Sequence, residues 1–250
     1  MRQIPAASSV TFFGVNAVTA TVAWAGTSAL SKGLGLNWTG FALFLTGFAF
    51  FYAGNLLFLR LFLRRRPIPS GSVAAGSRTE YIHGVYQLFF IFFIAPISCS
   101  KIMPPPFTSL WYRFLGAHIG KNSFPSHSYI ADPHFVTLGD EVTMGYNSAL
   151  TPHIMMGDTL EHGRIEIGNR VTIGVNALIY GHTKIGDGAL VLANSSVVPG
   201  TRIGENEMWG GNPAKKVKIL KPGDRAWNGA PQTAPSAWPG EKGLEIARGV

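Results

Sequence analysis

An aliphatic residue returns at every sixth position along much of the second half of the chain, and this period constrains the fold more than any other feature. A period of six fits neither the 3.6-residue turn of an α-helix nor the alternation of a flat strand. It is typical of a hexapeptide repeat, in which each short strand turns a corner and three hexads close one coil of a β-helix. The series runs Leu138, Met144, Leu150, Ile167, Ile173, Ile179, Ile185, Val191, Val197 and Ile203.

Asparagines mark the corners of this repeat. Asn176, Asn194 and Asn212 stand eighteen residues apart, each at the fourth place of its hexad. The chain must turn at that place, and Asn enters the left-handed backbone conformation more easily than most residues. Because residues one coil apart stack, we predict that the three asparagines form a ladder of turns.

The repeat, which covers residues 110–220, resembles the hexapeptide-repeat acyltransferases. The resemblance implies a left-handed parallel β-helix and a homotrimer as the active unit. It also implies acyl-CoA as co-substrate and transfer of an acetyl or other acyl group to a hydroxyl or amine acceptor. A lipid-linked sugar, a polysaccharide subunit and a carrier-bound amine all stay open as acceptors.

The N-terminal part of the chain is nearly free of charge. No charged residue occurs between Arg2 and Lys32 or between Lys32 and Arg60. Each gap exceeds the ~20 apolar residues that span a bilayer. We therefore predict two crossing helices, at 10–30 and 38–63. A buried soluble helix or an uncleaved signal-like anchor is the alternative for the first, which is rich in Ala and Thr.

Arginines follow the second apolar segment directly, at Arg64, Arg65 and Arg66. Basic clusters beside a spanning helix stay on the cytoplasmic side and attract anionic lipid. We therefore predict a transmembrane hairpin in residues 1–66, with both ends and the β-helix in the cytoplasm and membrane lipid as a partner.

A third apolar run follows at 85–98, within a linker and membrane-associated region at 67–109. Only seventeen residues separate His83 from Lys101, and Pro96 removes a helix hydrogen bond inside the run. We expect this segment to lie in or dip into the membrane face, packed against the hairpin. If it crossed, the β-helix would lie on the opposite side from the arginines.

The entry to the repeat is Leu-Trp-Tyr-Arg-Phe-Leu-Gly at 110–116. Together with the anchor, it resembles the membrane-embedded C-terminal part of poly-lysine-synthetase-type nonribosomal peptide synthetases. The present chain contains one such β-helical unit and no adenylation or carrier domain. We expect that it does not make a peptide by itself.

Catalytic chemistry is expected where the repeat is interrupted, at 151–164, because a regular coil uses its side chains for stacking. In the resembling acyltransferases a histidine on or beside such a loop acts as general base. His153 directly follows the coil and is the predicted base. His162 lies at the loop exit, where we expect a solvated side chain, and His182 occupies a turn place. Asp158 and Glu161 are the loop carboxylates available to orient an imidazole.

The end of the repeat carries Gly-Gly-Asn-Pro-Ala-Lys-Lys-Val at 210–217. This run resembles the closing motif of the same transferases, where small residues admit the pantetheine arm and lysines meet the coenzyme A phosphates. A solvated cap of the β-helix is the alternative. The predicted coenzyme A residues are Gly174, Ala193, Ser195, Gly211, Pro213, Ala214, Lys215 and Lys216.

Other functions receive less support. A γ-type carbonic anhydrase needs three histidines around a metal, but Val175 and Tyr180 stand where that family places two of them, so no metal is expected. A non-catalytic membrane scaffold stays an alternative.

The single cysteine, Cys99, excludes an intrachain disulfide. The positive charge is split and lacks interleaved aromatics, so we expect no nucleic-acid partner. Residues 221–250, rich in Pro, Gly and Ala, are predicted to form a flexible tail.

Overall fold

The computed structural model describes residues 3–33, 40–100 and 103–221. Five α-helices and eighteen short strands are assigned in these ranges. The helices are α1 Ala6–Gly33, α2 Gly40–Arg65, α3 Arg78–Phe89, α4 Ala95–Ser100 and α5 Pro105–Phe114. The strands are β1 Gly71–Val73, β2 His118–Ile119, β3 Phe124–Pro125, β4 Tyr129–Ile130, β5 Val136–Leu138, β6 Thr143–Met144, β7 Ala149–Thr151, β8 His153–Met156, β9 Thr159–His162, β10 Ile165–Ile167, β11 Thr172–Ile173, β12 Leu178–Tyr180, β13 Lys184–Ile185, β14 Leu190–Val191, β15 Ser196–Val197, β16 Arg202–Ile203, β17 Glu207–Gly211 and β18 Ala214–Ile219.

The first two helices pack against each other as an antiparallel pair. Asn55 on α2 donates from Nδ2 to Thr19 Oγ1 on α1 at 2.9 Å. Nearer the other end of the pair, a side chain at Gly47 would meet Thr27. Both helices are long and apolar enough to cross a membrane. The structure is therefore compatible with the predicted membrane anchor.

The third apolar run is a continuous helical segment from Arg78 to Ser100, because a π-helical turn at Phe90–Ile94 joins α3 to α4. The helical segment continues through Pro96. Pro96 lies in the first turn of α4, directly after the π turn, where the missing N–H disturbs the helix least. This segment is also long and apolar enough to cross a membrane.

Both ends of this third segment nevertheless lie against the β-helix. Strand β1, which precedes it, pairs with β9, and α5, which follows it, packs on β2 and β3. In the middle, the Phe90 ring lies 6.0 Å from the Tyr129 ring of the first coil. The opposite side of the third segment packs in a buried cluster with Phe12 of α1 and Leu59 of α2. The predicted packing of the third segment against the transmembrane hairpin of α1 and α2 is thus confirmed. The location of this segment at the membrane face stays a prediction.

The C-terminal half winds through three sheets, as the repeat predicts, and all their strands are parallel except β18. The sheet orders are β2-β5-β10-β13-β16, β3-β6-β11-β14-β17-β18 and β4-β7-β12-β15. Repeat residues one coil apart face each other, as in the pairs Ile167 with Ile185 and Ile173 with Val191. The aliphatic residues of the repeat fill the interior and are almost fully buried. The left-handed sense of the coil stays a prediction.

The two ends of the β-helix differ from the expected hexads. Residues 110–114 belong to α5, whose Tyr112 closes the first coil by donating from Oη to the Ser128 carbonyl at 2.9 Å. At the other end β18 folds back antiparallel on β17. Residues 222–250, which include most of the predicted tail, lie outside the described residues.

The asparagine ladder is confirmed at two of its three predicted positions. Asn176 and Asn194 have φ values of 55° and 56°, and Asn176 Nδ2 donates to Asn194 Oδ1 at 3.2 Å. Asn147 joins the ladder one step earlier, donating to Asn176 Oδ1 at 3.0 Å. Asn212 is the exception, because it lies in the turn of the closing β17–β18 hairpin, where the coil has already ended.

Candidate active site

The interruption predicted at 151–164 is a β-hairpin projecting from the coil. Strands β8 and β9 pair antiparallel, with His153 opposite His162. Gly157, at φ 59°, lies in the turn between them. Strand β1 pairs with the outer edge of β9. Leu150 pairs with Ile179, twenty-nine residues away instead of the usual eighteen, because this coil also contains the hairpin.

His153 is held by a buried carboxylate that the sequence analysis missed. His153 Nδ1 forms a short hydrogen bond with Asp132 Oδ2. The Asp132 side chain is 2% exposed and the His153 side chain 30% exposed. An ionised carboxylate only accepts, so Nδ1 carries the hydrogen and Nε2 is left to take a proton. The carboxylate bonded to His153 is thus Asp132, whereas of the two loop carboxylates Asp158 is exposed and Glu161 lies beside His182.

The position of Asp132 explains why spacing alone does not identify it. Asp132 precedes a short 3₁₀ turn at Pro133–Phe135 and has a left-handed backbone, with φ 45° and ψ 61°. It lies one coil earlier than His153, at an Asp-Pro-His departure from the hexad pattern. This departure, read together with the later interruption, is the signal that would have pointed to it.

The electrostatics of the pair favour the charged form of each partner. Burial raises the pKa of Asp132, but the hydrogen bond and charge of His153 outweigh burial and lower that pKa overall. Burial lowers the pKa of His153, and the hydrogen bond and charge of Asp132 raise it above its usual value. A raised pKa makes this imidazole a stronger base than one in water.

His162 is buried, which corrects the expectation of a solvated side chain. It lies on the inner face of β9, where it stacks on Phe135 with 5.2 Å between ring centroids. Its Nε2 is 3.1 Å from His83 Nδ1 on α3. Burial and the neighbouring His83 lower the pKa of His162 to about 3, so it stays neutral at physiological pH. His162 therefore connects the β8–β9 hairpin to α3.

Helix α3 forms one wall of the site, which the sequence analysis also missed. The His83 ring lies 6.4 Å from the His153 ring. One turn further along, the Tyr86 ring packs on the half-buried His134, with 5.1 Å between ring centroids. Several buried polar atoms beside Asp132 have no hydrogen-bond partner among the described residues: Tyr86 Oη, His162 Nδ1 and both His134 ring nitrogens. Such atoms in native proteins are met by bound water or ligand.

The remaining loop and turn residues lie on the surface beside the hairpin. Glu161 Oε1 is 2.9 Å from His182 Nε2, and both side chains are more than a third exposed. His182 has φ 61°, which confirms the predicted left-handed turn. Asp158 is exposed near the tip of the hairpin.

The predicted coenzyme A residues divide into an exposed and a buried set. Ser195 is 1% exposed and its Oγ accepts a hydrogen bond from Gly211 N at 3.2 Å. Ala214 belongs to the buried core of the coil. Both side chains are buried in the coil, and their contact with coenzyme A stays a prediction. Gly174 is half-exposed, and Ala193, Gly211, Pro213, Lys215 and Lys216 are exposed.

The closing lysines are also not equivalent. Lys216 Nζ makes a short ion pair with Glu207 Oε1. The hydrogen bonds from Lys216 and Trp209 lower the pKa of Glu207 to about 2. Lys216 is therefore tied to the cap, whereas Lys215 projects from the exposed face of β18. Among the described residues, no three His, Cys, Asp or Glu side chains are arranged to hold a metal ion.

Comparison with known proteins finds both resemblances expected from the sequence, although no family model matches the chain. Among solved structures, the chain is similar to hexapeptide-repeat acetyltransferases. One is maltose O-acetyltransferase from Clostridium difficile 630, at 22% identity and a TM-score of 0.35, covering 43% of this chain and 61% of that one. Another is an acetyltransferase from Vibrio cholerae O1 biovar eltor complexed with acetyl coenzyme A, at 20% identity and a TM-score of 0.44, covering 55% and 89%.

A curated relative matches the second resemblance. The chain is 30% identical over 110 residues to delta-poly-L-ornithine synthetase from Acinetobacter baumannii strain AB307-0294. The match covers 42% of this chain and 8% of the synthetase. The chain thus corresponds to a small part of that much longer protein.

Proposed function

We propose that this protein is a membrane-anchored acyltransferase that moves an acetyl or other acyl group from acyl-CoA to a hydroxyl or amine acceptor. The observation that carries the proposal is the hydrogen bond between His153 Nδ1 and the buried Asp132 carboxylate. It fixes the tautomer in which Nε2 can accept a proton. His83 of α3 lies beside the His153 ring and is bonded to His162, and these two contacts keep the β8–β9 hairpin against α3.

In the proposed reaction, His153 Nε2 takes the proton of the acceptor hydroxyl or amine as the acceptor attacks the thioester carbonyl. Asp132 stabilises the imidazolium that forms, while remaining ionised itself. The carbon–sulfur bond then breaks, and the coenzyme A thiolate leaves and is protonated by His153. The acyl group is thus transferred with no net change in the proton count of the enzyme.

For coenzyme A we propose the exposed residues of the closing coils. Gly174 lets adjacent coils stack closely, because a side chain there would approach Ala193 N to 2.3 Å. Gly211 and Pro213 form the adjacent exposed turn, and Lys215 offers a positive charge to a phosphate. Lys216 contributes through the cap that it forms with Glu207.

The test is His153→Asn, because the Asn amide can still donate to Asp132 but cannot act as a base. We expect turnover to fall by roughly 10² to 10⁴, with coenzyme A affinity unchanged. The measurement is coenzyme A release and product mass from acetyl-CoA with membrane extract. His118→Asn, on the exposed face of β2, is the matched control. Full activity in His153→Asn would rule out His153 as the base.

The second candidate is one unit of a nonribosomal-peptide-synthetase-like assembly, and the match to the ornithine polymer synthetase favours it. In that case the thioester would be held by a carrier protein instead of coenzyme A. Comparing acetyl-CoA with an aminoacyl carrier protein as donor separates the two. If neither donor supports transfer and coenzyme A does not bind, the protein is a scaffold.

We also propose that the protein is a homotrimer with its β-helix in the cytoplasm. The orientation is supported by the arginines at the end of α2, where Arg60 bonds the Phe114 carbonyl beside the first coil. In a Cys99→Ser background, a cysteine at Glu205 should resist an impermeant thiol reagent in intact cells, and one at Asn37 should react. The reverse pattern would overturn the orientation. Light scattering corrected for detergent tests the trimer, which an active monomer would exclude.

A further inference from the structure

A cleft of about 380 Å³ opens where α1, α2 and α3 meet. Its floor is apolar and consists of Phe58, Leu61 and Phe62 on α2. Its rim carries the guanidinium groups of Arg65 and Arg66. The cleft is therefore amphipathic, with its two cations at one end.

The rim of the cleft is held in place by specific contacts. The Thr11 hydroxyl of α1 and the Tyr81 hydroxyl of α3 are 2.8 Å apart and close one side. The Arg66 guanidinium lies over the Phe62 ring, 5.6 Å from its centroid. This cation–π contact keeps the charge above the apolar floor. No acidic side chain is among the described residues that line the cleft.

The cleft's position in the chain indicates what fills it. Arg65 ends α2, a helix that is long and apolar enough to span a bilayer. An arginine at such an end reaches the level of the lipid head groups, while Leu61 one turn earlier faces the acyl region. A volume of this size suits a small-molecule ligand and is too small for a folded partner.

We propose that this cleft is a binding site for a phosphate-bearing membrane lipid. The phosphate oxygens accept hydrogen bonds from the guanidinium groups of Arg65 and Arg66, and the upper part of an acyl chain covers Phe58 and Leu61. A free phosphate would leave this apolar floor exposed to water. The lipid occupies the junction of three helices, one of which carries His83 of the active site. The site does not depend on the acyltransferase proposal.

The experiment is native mass spectrometry of the full chain in mild detergent, titrated with dioleoylphosphatidylglycerol. Arg65→Gln and Arg66→Gln should each weaken binding about tenfold or more, since each removes charge-assisted hydrogen bonds. Arg64→Gln is the matched control, because it removes the same charge one residue away and Arg64 does not line the cleft. It should change the affinity less than twofold.

Two further measurements keep the test decisive. Leu61→Trp leaves every arginine in place and fills the floor, so it should also displace the lipid. Dioleoylglycerol, which lacks the phosphate, should not bind, and millimolar inorganic phosphate should not compete. Equal losses in all three arginine variants, lipid binding unaffected by Leu61→Trp, or full competition by inorganic phosphate would each overturn the proposal.

Discussion

Replacing His153 by Ala should destabilise the protein, because it leaves the Asp132 carboxylate buried without its partner. Asp132 is 2% exposed, so water does not replace the lost hydrogen bond. Removing one member of a buried ion pair costs about 3–5 kcal/mol. For a chain of this size, each 1 kcal/mol lowers the melting temperature by about 2–4 °C. We therefore expect His153→Ala to melt about 6–20 °C below the parent protein at pH 7.

The assay is thermal unfolding in detergent, followed by tryptophan fluorescence at several pH values. In the parent protein the depressed pKa of Asp132 stabilises the fold above the ordinary carboxyl pKa, and this contribution is lost as the pH falls. In His153→Ala, burial still raises the pKa of Asp132 but the hydrogen bond and charge of His153 no longer lower it, so the pKa rises and protonation at low pH relieves the penalty. The difference between the two proteins should therefore narrow from pH 7 to pH 4.

Two companion variants decide whether the buried charge is the cause. Adding Asp132→Asn to His153→Ala removes the charge and should recover most of the loss. His153→Asn, which keeps a donor for the carboxylate, should melt close to the parent protein. If His153→Ala unfolds within about 2 °C of the parent at pH 7, the reasoning from an unpaired buried carboxylate is wrong.

Two further predictions concern the base and the coil. The neutral form of His153 is the base and its pKa is raised, so activity should rise with pH through a value above 6.5. Asp132→Asn should shift this rise in activity to lower pH. Profiles of the rate against pH measure both. Gly174→Ala should lower the free energy of unfolding by about 1–3 kcal/mol, because the added Cβ would lie 2.3 Å from the backbone nitrogen of Ala193. Gly26→Ala is the control, since a Cβ there has no atom within 4 Å, and it should change the free energy of unfolding by less than about 1 kcal/mol. Thermal unfolding measures both.

The coil could be predicted from the sequence because its period is local and repeated. Each aliphatic residue of the series points inward, and one coil places Ile179 opposite Val197. The same regularity predicts where the coil is interrupted, and it leads directly to His153. The closing hairpin is less accessible to this reasoning, since Asn212 keeps the eighteen-residue spacing after the parallel coil has ended.

Asp132, the carboxylate partner of His153, could not be found from the period of the repeat. Contacts across a coil depend on which corner of the coil each irregular segment occupies. Asp158 and Glu161 are near His153 in sequence but point to the tip and the outer face of the hairpin. Asp132 is distant in sequence and adjacent in space, on a left-handed corner that no hexad rule identifies. His162, which the sequence predicts to be solvated, is buried because α3 covers the face that it occupies.

Residues 67–77 illustrate how the membrane region contributes to the site. Their Pro, Gly and Ser content is typical of a linker, yet Gly71–Val73 supplies the third strand of the sheet that carries His153. A two-stranded hairpin alone is marginally stable in water, and a third strand with an apolar face fixes it. Val73 and Leu160, paired across these strands, are both buried. Ser70 also donates from Oγ to the His162 carbonyl at 2.9 Å. The position of the imidazole therefore depends on chain that precedes the coil, and cutting the β-helix from its anchor would loosen the site that it carries.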